Sequence, residues 1–219
     1  MVIEAERRSI MIKKHLKLLI VTTIIILLPI AAGMILWQKL PEQIPTHWNI
    51  NGEVDGWAGK TFVVFVLPAI LAAAQWLCVI FTSTDPKKKN HSDKMMSLVL
   101  WIIPLLSVVL NVLTYSTALG KQIQVDMVMP VVMGVVFVLL ANYMPKCKQN
   151  YTIGIKLAWT LNSEENWNKT HRLAGWVWTI GGILMIPTAF IGFWVALPIT
   201  LVMVIVPVVY SYMLHRKGI

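Results

Sequence analysis

The chain has 219 residues, of which 57% are hydrophobic and 13% are charged. Soluble globular domains carry charge on about a quarter of their residues, so this composition excludes that class and indicates a membrane protein. The formal net charge is +9 at pH 7, and the positions of the cations decide what that charge means. Two cysteines, Cys78 and Cys147, are too few for a disulfide framework, and we expect both to be free thiols.

Six apolar stretches are long enough to cross a hydrocarbon core of about 30 Å, which takes about 20 helical residues. They lie at 18–37, 62–81, 96–119, 127–143, 173–192 and 195–214, and none of them contains Asp, Glu, Lys or Arg. Because the runs are continuous rather than alternating, they predict an all-α integral membrane protein and not a β-barrel. Only Phe193 and Trp194 separate the last two spans, which predicts a tight helical hairpin.

Lysine and arginine are unequally distributed between alternate connectors. Sixteen of the 19 lie in the two tails and in the second and fourth loops, and three lie in the first and third loops. The positive-inside rule therefore predicts that both termini are cytoplasmic. Near anionic lipid, each such cation contributes about 1 kcal/mol, so the net charge needs no nucleic-acid partner.

This topology predicts three parts of the chain. They are a cytoplasmic basic tail (1–17), an N-terminal three-helix part (18–119) with an external first loop (38–61), and a C-terminal three-helix part (120–219) with a cytoplasmic fourth loop (144–172).

The first loop contains "LPEQIPTHWNINGEVDGWAGK", residues 40–60. Its two prolines favour an extended chain, and "NING" and "DGWAG" predict turns. Trp48 and Trp57 are amphipathic and suit the lipid headgroup layer. One interpretation is a compact connector on the membrane surface. The density of Pro, Gly and Trp, which exceeds what a connector requires, favours a binding role.

The fourth loop contains "NYTIGIKLAWTLNSEENWNKTHR", residues 150–172. Its first half has no clean helical period. Asn162, followed by Glu164 and by Glu165 at the capping-box offset, then predicts the start of a helix that continues into the fifth span. Trp167 and His171 are four residues apart and fall on one face of that helix.

Signatures of catalysis are absent from the sequence. There is no nucleophile elbow, zinc-protease motif or glycine-rich phosphate loop. His47, Glu53 and Asp55 form the one set of acid and base groups in an external loop, and one His with two loop carboxylates is a poor ligand set for zinc. We therefore expect no catalytic residues, no metal site and no cofactor.

Uncharged spans also disfavour a proton- or sodium-driven carrier, because such proteins keep an ionisable group within the membrane. The polar side chains inside the spans, among them Gln75, Asn111 and Asn142, are more often bonded between helices than used for a ligand. A small-solute transporter or channel remains an alternative, suggested by prolines in every span. A membrane enzyme with its site in the first loop is a further alternative.

Both loop sequences resemble known families. The Pro-x-x-Ile-Pro-x-His-Trp core, Asn-Gly turn, Trp and closing Lys of the first loop resemble the DUF1648 family. The fourth loop resembles the cytoplasmic signature of the SdpI family of bacterial membrane proteins, with Lys156, Leu157 and Ala158 where that family usually has Arg-Thr-Pro. Lysine lacks the planar five-donor fork of arginine, so a bidentate contact at that position is not expected. The positions that match the SdpI signature are Asn150, Gly154, Ile155, Trp159, Thr160, Leu161, Trp167, His171 and Arg172.

The resemblance implies a six-helix protein of the bacterial cell membrane that protects its host against a secreted toxic peptide. It further implies a receptor role, in which a small transcriptional repressor is tethered at the cytoplasmic face without direct contact of this chain with nucleic acid. The implied external ligand-binding residues are Pro45, His47, Trp48, Asn49, Gly52, Trp57 and Lys60. The implied cytoplasmic partner-binding residues are Asn150, Gly154, Lys156, Trp159, Thr160, Trp167, His171 and Arg172.

Overall fold

A computed structural model describes residues 2–219, with the side chains of residues 14–87 and 89–219. Within this described part, six helices are long and apolar enough to cross a membrane. They confirm the six predicted spans and the all-α membrane fold, and the strands belong to one two-stranded sheet. The spans are Lys14–Ile35, Phe62–Ser83, Asp93–Ala118, Val125–Lys146, Glu164–Ile191 and Phe193–Arg216.

The elements follow one another along the chain with short connections. The helices are α1 (Val2–Ile35), α2 (Leu67–Ser83, preceded by a π-helical turn at Phe62–Val66), α3 (Asp93–Ala118), α4 (Val125–Ala141), α5 (Ala158–Asn162), α6 (Glu164–Met185), α7 (Thr188–Ile191) and α8 (Ala196–Arg216). Strands β1 (Gln43–Trp48) and β2 (Val54–Gly59) lie between α1 and α2.

The predicted tail at 1–17 is part of α1, since that helix begins at Val2. The side chains of Arg7, Arg8 and Lys13, on which the tail's charge depends, lie outside the described residues.

Two compact units make up the chain. The first unit is Met1–Thr84 with Met96–Val125, and the second is Asp85–Met95 with Asp126–Ile219. The first unit therefore holds α1, the two strands, α2 and most of α3. The second holds the loop after α2 and helices α4 to α8.

In the first unit, the strands pack on the ends of the helices. Ile44 from β1 and Val63 and Val64 from the π-helical turn are fully buried in one cluster with Leu40 and Tyr115. Tyr115 Oη donates to the Pro29 carbonyl over 3.1 Å, which joins α3 to α1. These contacts fix the base of the first loop against the helices.

In the second unit, small residues let α6 approach its neighbours. A Cβ added at Gly182 would lie 2.7 Å from the Gly134 carbonyl oxygen of α4, so the backbones are in contact there. On another side of α6, Gly181 faces Met203 of α8, and Trp178 Nε1 donates to the Met203 carbonyl over 2.9 Å. The predicted hairpin of the last two spans is confirmed.

The turn of that hairpin is longer than the sequence predicted. Helix α6 ends at Met185 and α8 begins at Ala196. Pro187 cannot donate to the preceding turn of helix, and Gly192 adopts a φ of 131°, a conformation that L side chains rarely adopt.

Candidate functional site

The first loop folds into an antiparallel β-hairpin in which His47 pairs with Gly56 and Trp48 with Val54. The predicted Asn-Gly turn is confirmed, because Gly52 adopts a φ of 77° at its tip. The turn predicted at "DGWAG" is wrong, since these residues form most of β2. Cross-strand pairing with β1 overrides the turn preference of Gly56 and Gly59, which is the ordinary outcome when tertiary contacts compete with local propensity.

Asn49 holds the tip of the hairpin together. Its Oδ1 accepts from the backbone N–H of Asn51 over 2.9 Å and of Glu53 over 3.0 Å. Its Nδ2 donates to the Glu53 carboxylate over 2.9 Å. Asn49 therefore has a structural role in the turn, as asparagine side chains often do.

Lys60 holds the base. Its side chain is 8% exposed, and its Nζ donates to the carbonyl oxygens of Leu40 over 3.2 Å and Trp37 over 3.3 Å. The same ammonium lies 2.9 Å from the Glu42 carboxylate and 4.7 Å from the centre of the Trp37 ring. Burying a lysine is costly unless its donors are satisfied, and here they are, so Lys60 connects β2 to the end of α1.

One face of the hairpin is open. Along β2, Asp55 and Trp57 are exposed while Val54, Gly56 and Ala58 are partly covered. Trp57 is 56% exposed. His47, also exposed, places its Nδ1 2.5 Å from Asp55 Oδ1. Of the seven predicted first-loop residues, His47 and Trp57 are therefore accessible, Trp48 is partly covered, and Pro45, Asn49, Gly52 and Lys60 build the hairpin.

The fourth loop is organised around Asn150, which is 1% exposed. Its Nδ2 donates to the carbonyls of Lys148 and Ile153, both over 2.9 Å. Its Oδ1 accepts from the N–H groups of Thr152 over 2.9 Å and Ile153 over 2.7 Å. A single side chain thus satisfies four backbone groups of a non-helical segment that has no strand partner.

Gly154 and His171 form the next layer of this loop. Gly154 has a φ of 120°, and an added Cβ would lie 2.5 Å from His171 Nε2. The Ile155 N–H donates to that nitrogen over 3.0 Å, and His171 Nδ1 lies 2.8 Å from the Trp167 carbonyl. Because a carbonyl only accepts and an amide N–H only donates, this geometry requires a neutral imidazole with its proton on Nδ1.

Trp167 is completely buried and stacks on the His171 ring, with centroids 4.0 Å apart. Its Nε1 donates to the Cys147 carbonyl over 2.6 Å. The prediction that Trp167 and His171 share one helix face is confirmed, and that face points into the loop.

Hydrogen bonds hold the short helix α5 in place at both ends. Buried Thr160 accepts from the Leu157 N–H over 2.9 Å, and Gln149 Nε2 donates to the Thr160 carbonyl over 2.8 Å. Trp159 Nε1 donates to Ser211 Oγ of α8 over 2.7 Å. Ser211 in turn donates to Asn166 Oδ1 over 2.9 Å, which connects α5, α6 and α8.

The predicted helix start needs correction. Ser163 is the N-cap of α6, accepting from the Asn166 N–H over 3.1 Å, whereas Asn162 ends the preceding helix α5. Asn and Ser both cap helices well, and Asn162 is unavailable because it is the last residue of α5. The continuation of this helix into the fifth span is confirmed.

Asp85, in the loop after α2, is a functional candidate that the sequence analysis missed. Its buried carboxylate accepts from the N–H groups of Lys87 over 2.7 Å and Tyr151 over 2.9 Å, and from Thr152 Oγ1 over 3.0 Å. His91 Nε2 lies 3.2 Å away. Burial alone would raise the pKa of Asp85, but these hydrogen bonds outweigh it and hold the pKa below its ordinary value.

Asp85 therefore joins the second loop to the fourth, and two further contacts extend this junction. Lys87 Nζ donates to Gln149 Oε1, and Asn90 Nδ2 donates to the Gln149 carbonyl over 2.6 Å. The feature of the sequence that could have drawn attention to Asp85 is its position two residues before the run Lys87–Lys88–Lys89.

The surface of the fourth loop is formed by other residues. Lys156 is exposed and its Nζ donates to the Thr152 carbonyl over 3.1 Å. Arg172, Tyr151 and Lys148 are also exposed. Of the predicted partner-binding residues, Lys156 and Arg172 are thus accessible, Gly154 and Trp159 are half-buried, and Asn150, Thr160, Trp167 and His171 are buried.

Possible metal ligands do not cluster in the two loops, whose side chains the structure describes, and the two thiols are not bonded to each other. Among the residues with described side chains, no three His, Cys, Asp or Glu converge as metal ligands. Both cysteines are free thiols, as predicted. Cys147 is buried beside the fourth loop, and burial raises its pKa to about 11, although a hydrogen bond from Asn150 acts in the opposite direction. Such a thiol is inert at neutral pH.

Comparison with known proteins finds matches to the sequences of both loops. Residues 146–211 match the SdpI/YfhL protein family, and residues 24–72 match a domain of unknown function, DUF1648. The chain is 27% identical over 193 residues to "Immunity protein SdpI" of Bacillus subtilis (strain 168), covering 88% of this chain and 91% of that protein. No solved structure gives a significant match.

Each match falls on one of the loops described above. The DUF1648 match contains the hairpin with its Lys60 base, and the SdpI match contains the fourth loop from Lys146 to its contact with Ser211. Together with the six apolar helices, these findings show a multi-pass bacterial membrane protein whose fourth loop and last spans are similar to the SdpI/YfhL family and whose first loop is similar to DUF1648.

Proposed function

We propose that this protein is a membrane immunity protein that protects its host against a secreted toxic peptide. The observation that carries the proposal is the similarity to an immunity protein across 88% of the chain. The two structured loops support it, since a simple anchor would need neither a hairpin closed by a buried lysine nor a loop built on four hydrogen bonds to one asparagine.

The charge distribution supports placing the hairpin outside the cell, because only three of the 19 Lys and Arg lie in the first and third loops. The exposed residues of the hairpin then offer a peptide two kinds of contact. Trp57 supplies a large apolar surface of the type that dominates binding energies. His47 and Asp55 beside it supply polar contacts, and alternation along the strands puts Asp55 and Trp57 on the same face.

The same charge distribution supports a cytoplasmic position for the fourth loop, where we propose that it docks a small repressor protein. Its exposed charged side chains are mostly cations, which favours an acidic partner surface: they are Lys146, Lys148, Lys156 and Arg172, against Glu164 and Glu165. The buried signature residues act indirectly by holding this surface in shape.

Survival of toxin-sensitive bacteria tests the immunity proposal. The gene is expressed in a host without its own immunity protein, and killing by a panel of secreted peptides is measured. We expect protection by the native chain and its loss in Trp57→Ala. The matched control is Trp194→Ala, a tryptophan of the turn between the last two spans that is 64% exposed, against 56% for Trp57. Undiminished killing of cells with confirmed membrane insertion of the native chain would contradict the proposal.

Thiol labelling tests the topology on its own. In a background with both native cysteines replaced, an impermeant reagent should label Thr46→Cys in intact cells. Lys156→Cys should react only after permeabilisation. Equal labelling of the two sites in intact cells would exclude both the external ligand site and the internal docking surface.

A further inference from the structure

A small cavity lies between α2 and α3 in the first unit, apart from both loops. Its volume is about 120 Å³. The α3 side is apolar and includes Met96, Leu100 and Ile103, whereas the α2 side carries Gln75, Cys78 and Thr82. The spacing of the last three, i, i+3 and i+7, puts them on one face of the helix.

The observation that points to a ligand in this cavity concerns Gln75. It is 1% exposed, and its Nε2 donates to Thr22 Oγ1 of α1 over 2.5 Å. This bond confirms that Gln75 connects two helices. Its Oε1, however, is a buried acceptor with no donor among the described residues. A polar atom left without a partner in an apolar surrounding is unfavourable, and inside a bilayer no bulk water relieves it.

The other polar groups of the cavity cannot supply the missing donor. The Thr82 hydroxyl donates to the Cys78 carbonyl over 2.8 Å, so its oxygen offers lone pairs to the cavity and no proton. The Cys78 thiol is only a weak donor. The α2 wall therefore presents acceptors, and a complementary occupant has to be a hydrogen-bond donor.

We propose that this cavity is a binding site for a small O–H donor, either water or a small alcohol, whose hydroxyl donates to Gln75 Oε1. Its volume suits that class, since the cavity is larger than the roughly 10–15 Å³ that one water requires. Purely apolar cavities stay dry, so the acceptors on α2 make the difference. The proposal is independent of the immunity function, because it uses no residue of either loop.

Solid-state NMR of the full chain in lipid vesicles tests it. Magnetisation transfer from water to the side chains of Gln75 and Thr82 reports a bound water. Saturable shifts of the same signals on titration with 1-propanol report a bound alcohol. Either result supports the proposal and identifies the source of the hydroxyl. Absence of both in the native chain would overturn it.

Two variants locate the site. Val99→Phe fills the cavity from α3 and should abolish the water or propanol signal at Gln75. Gln75→Met keeps the size of the side chain but removes the acceptor, and it should abolish the signal at Thr82. This variant tests the proposal even if Val99→Phe does not fold. Leu77→Met, on an exposed side of α2 outside the cavity, should change neither signal. Signals that persist in every folded cavity variant would overturn the assignment to this cavity.

Discussion

The two loops that match family motifs differ in where their aromatic and histidine residues lie. In the first loop the hairpin is fixed at its base by Lys60 and leaves His47 and Trp57 exposed. In the fourth loop the matching residues Asn150, Trp167 and His171 are buried and bonded to the backbone around them. A residue that matches a family motif can therefore contact a partner directly in one loop and only shape the surface in the other.

Among the substitutions that test this difference between the loops, Asn150→Ala should lower the free energy of unfolding the most. It removes four hydrogen bonds to partly buried backbone groups at once, and a fully buried group left unsatisfied costs about 1–3 kcal/mol. We expect a loss of about 3 kcal/mol or more, measured by denaturant unfolding in detergent with circular dichroism. Asn168→Ala, an exposed position on α6, is the control and should change little. Equal stabilities would mean that the fourth loop is not built around Asn150.

Gly154→Ala should have the next largest effect. The alanine would have to adopt the φ of 120° seen at Gly154, which is unfavourable for L residues. Its Cβ would also lie 2.5 Å from His171 Nε2. We expect a loss of about 2–3 kcal/mol in the same unfolding assay, from backbone strain plus the displaced ring. Gly120 also has a positive φ, of 79°, but nothing lies within 4 Å of its added Cβ. Gly120→Ala thus isolates the strain and should cost about 1 kcal/mol. If the two variants were equally stable, contact with His171 would be unimportant.

Lys60→Met probes the base of the first loop with a smaller effect. The substitution keeps much of the apolar stem but leaves the Trp37 and Leu40 carbonyls without their donor. We expect a loss of about 1–2 kcal/mol and faster proteolysis near the hairpin tip. Lys39→Met changes an exposed lysine in the same connector and is the control. A hairpin as resistant as the native one would show that it does not depend on Lys60.

Acid should weaken the junction of the second and fourth loops by the smallest amount. The folded pKa of Asp85 lies below its unfolded value of 3.8, so the carboxylate stabilises the fold above about pH 4 and that contribution disappears as the pH falls through the folded pKa. Unfolding measured between pH 3 and pH 7 should therefore depend less steeply on pH in Asp85→Asn than in the native chain. Identical pH slopes would remove Asp85 as the cause.

Much of the hairpin could be predicted from the sequence, because its determinants are local. Pro45 favours extension, and Asn49 and Gly52 form a turn with bonds inside a five-residue segment. The extent of β2 could not be predicted, since Gly56 and Gly59 favour turns in isolation. The role of Lys60 could not be predicted either, because its carbonyl partners lie 20 and 23 residues away.

The sequence by itself determined the six helices, since crossing a bilayer requires uninterrupted apolar runs whose length is set by the membrane. It also determined the start of α6 to within one residue, because caps and first-turn acids act locally. Only the tertiary structure decided which loop residues are buried and which are exposed. Asp85 and Tyr151 are 66 residues apart, yet they form one hydrogen bond. Such pairs depend on how the helices bring their loops together, and no local preference in the chain encodes that arrangement.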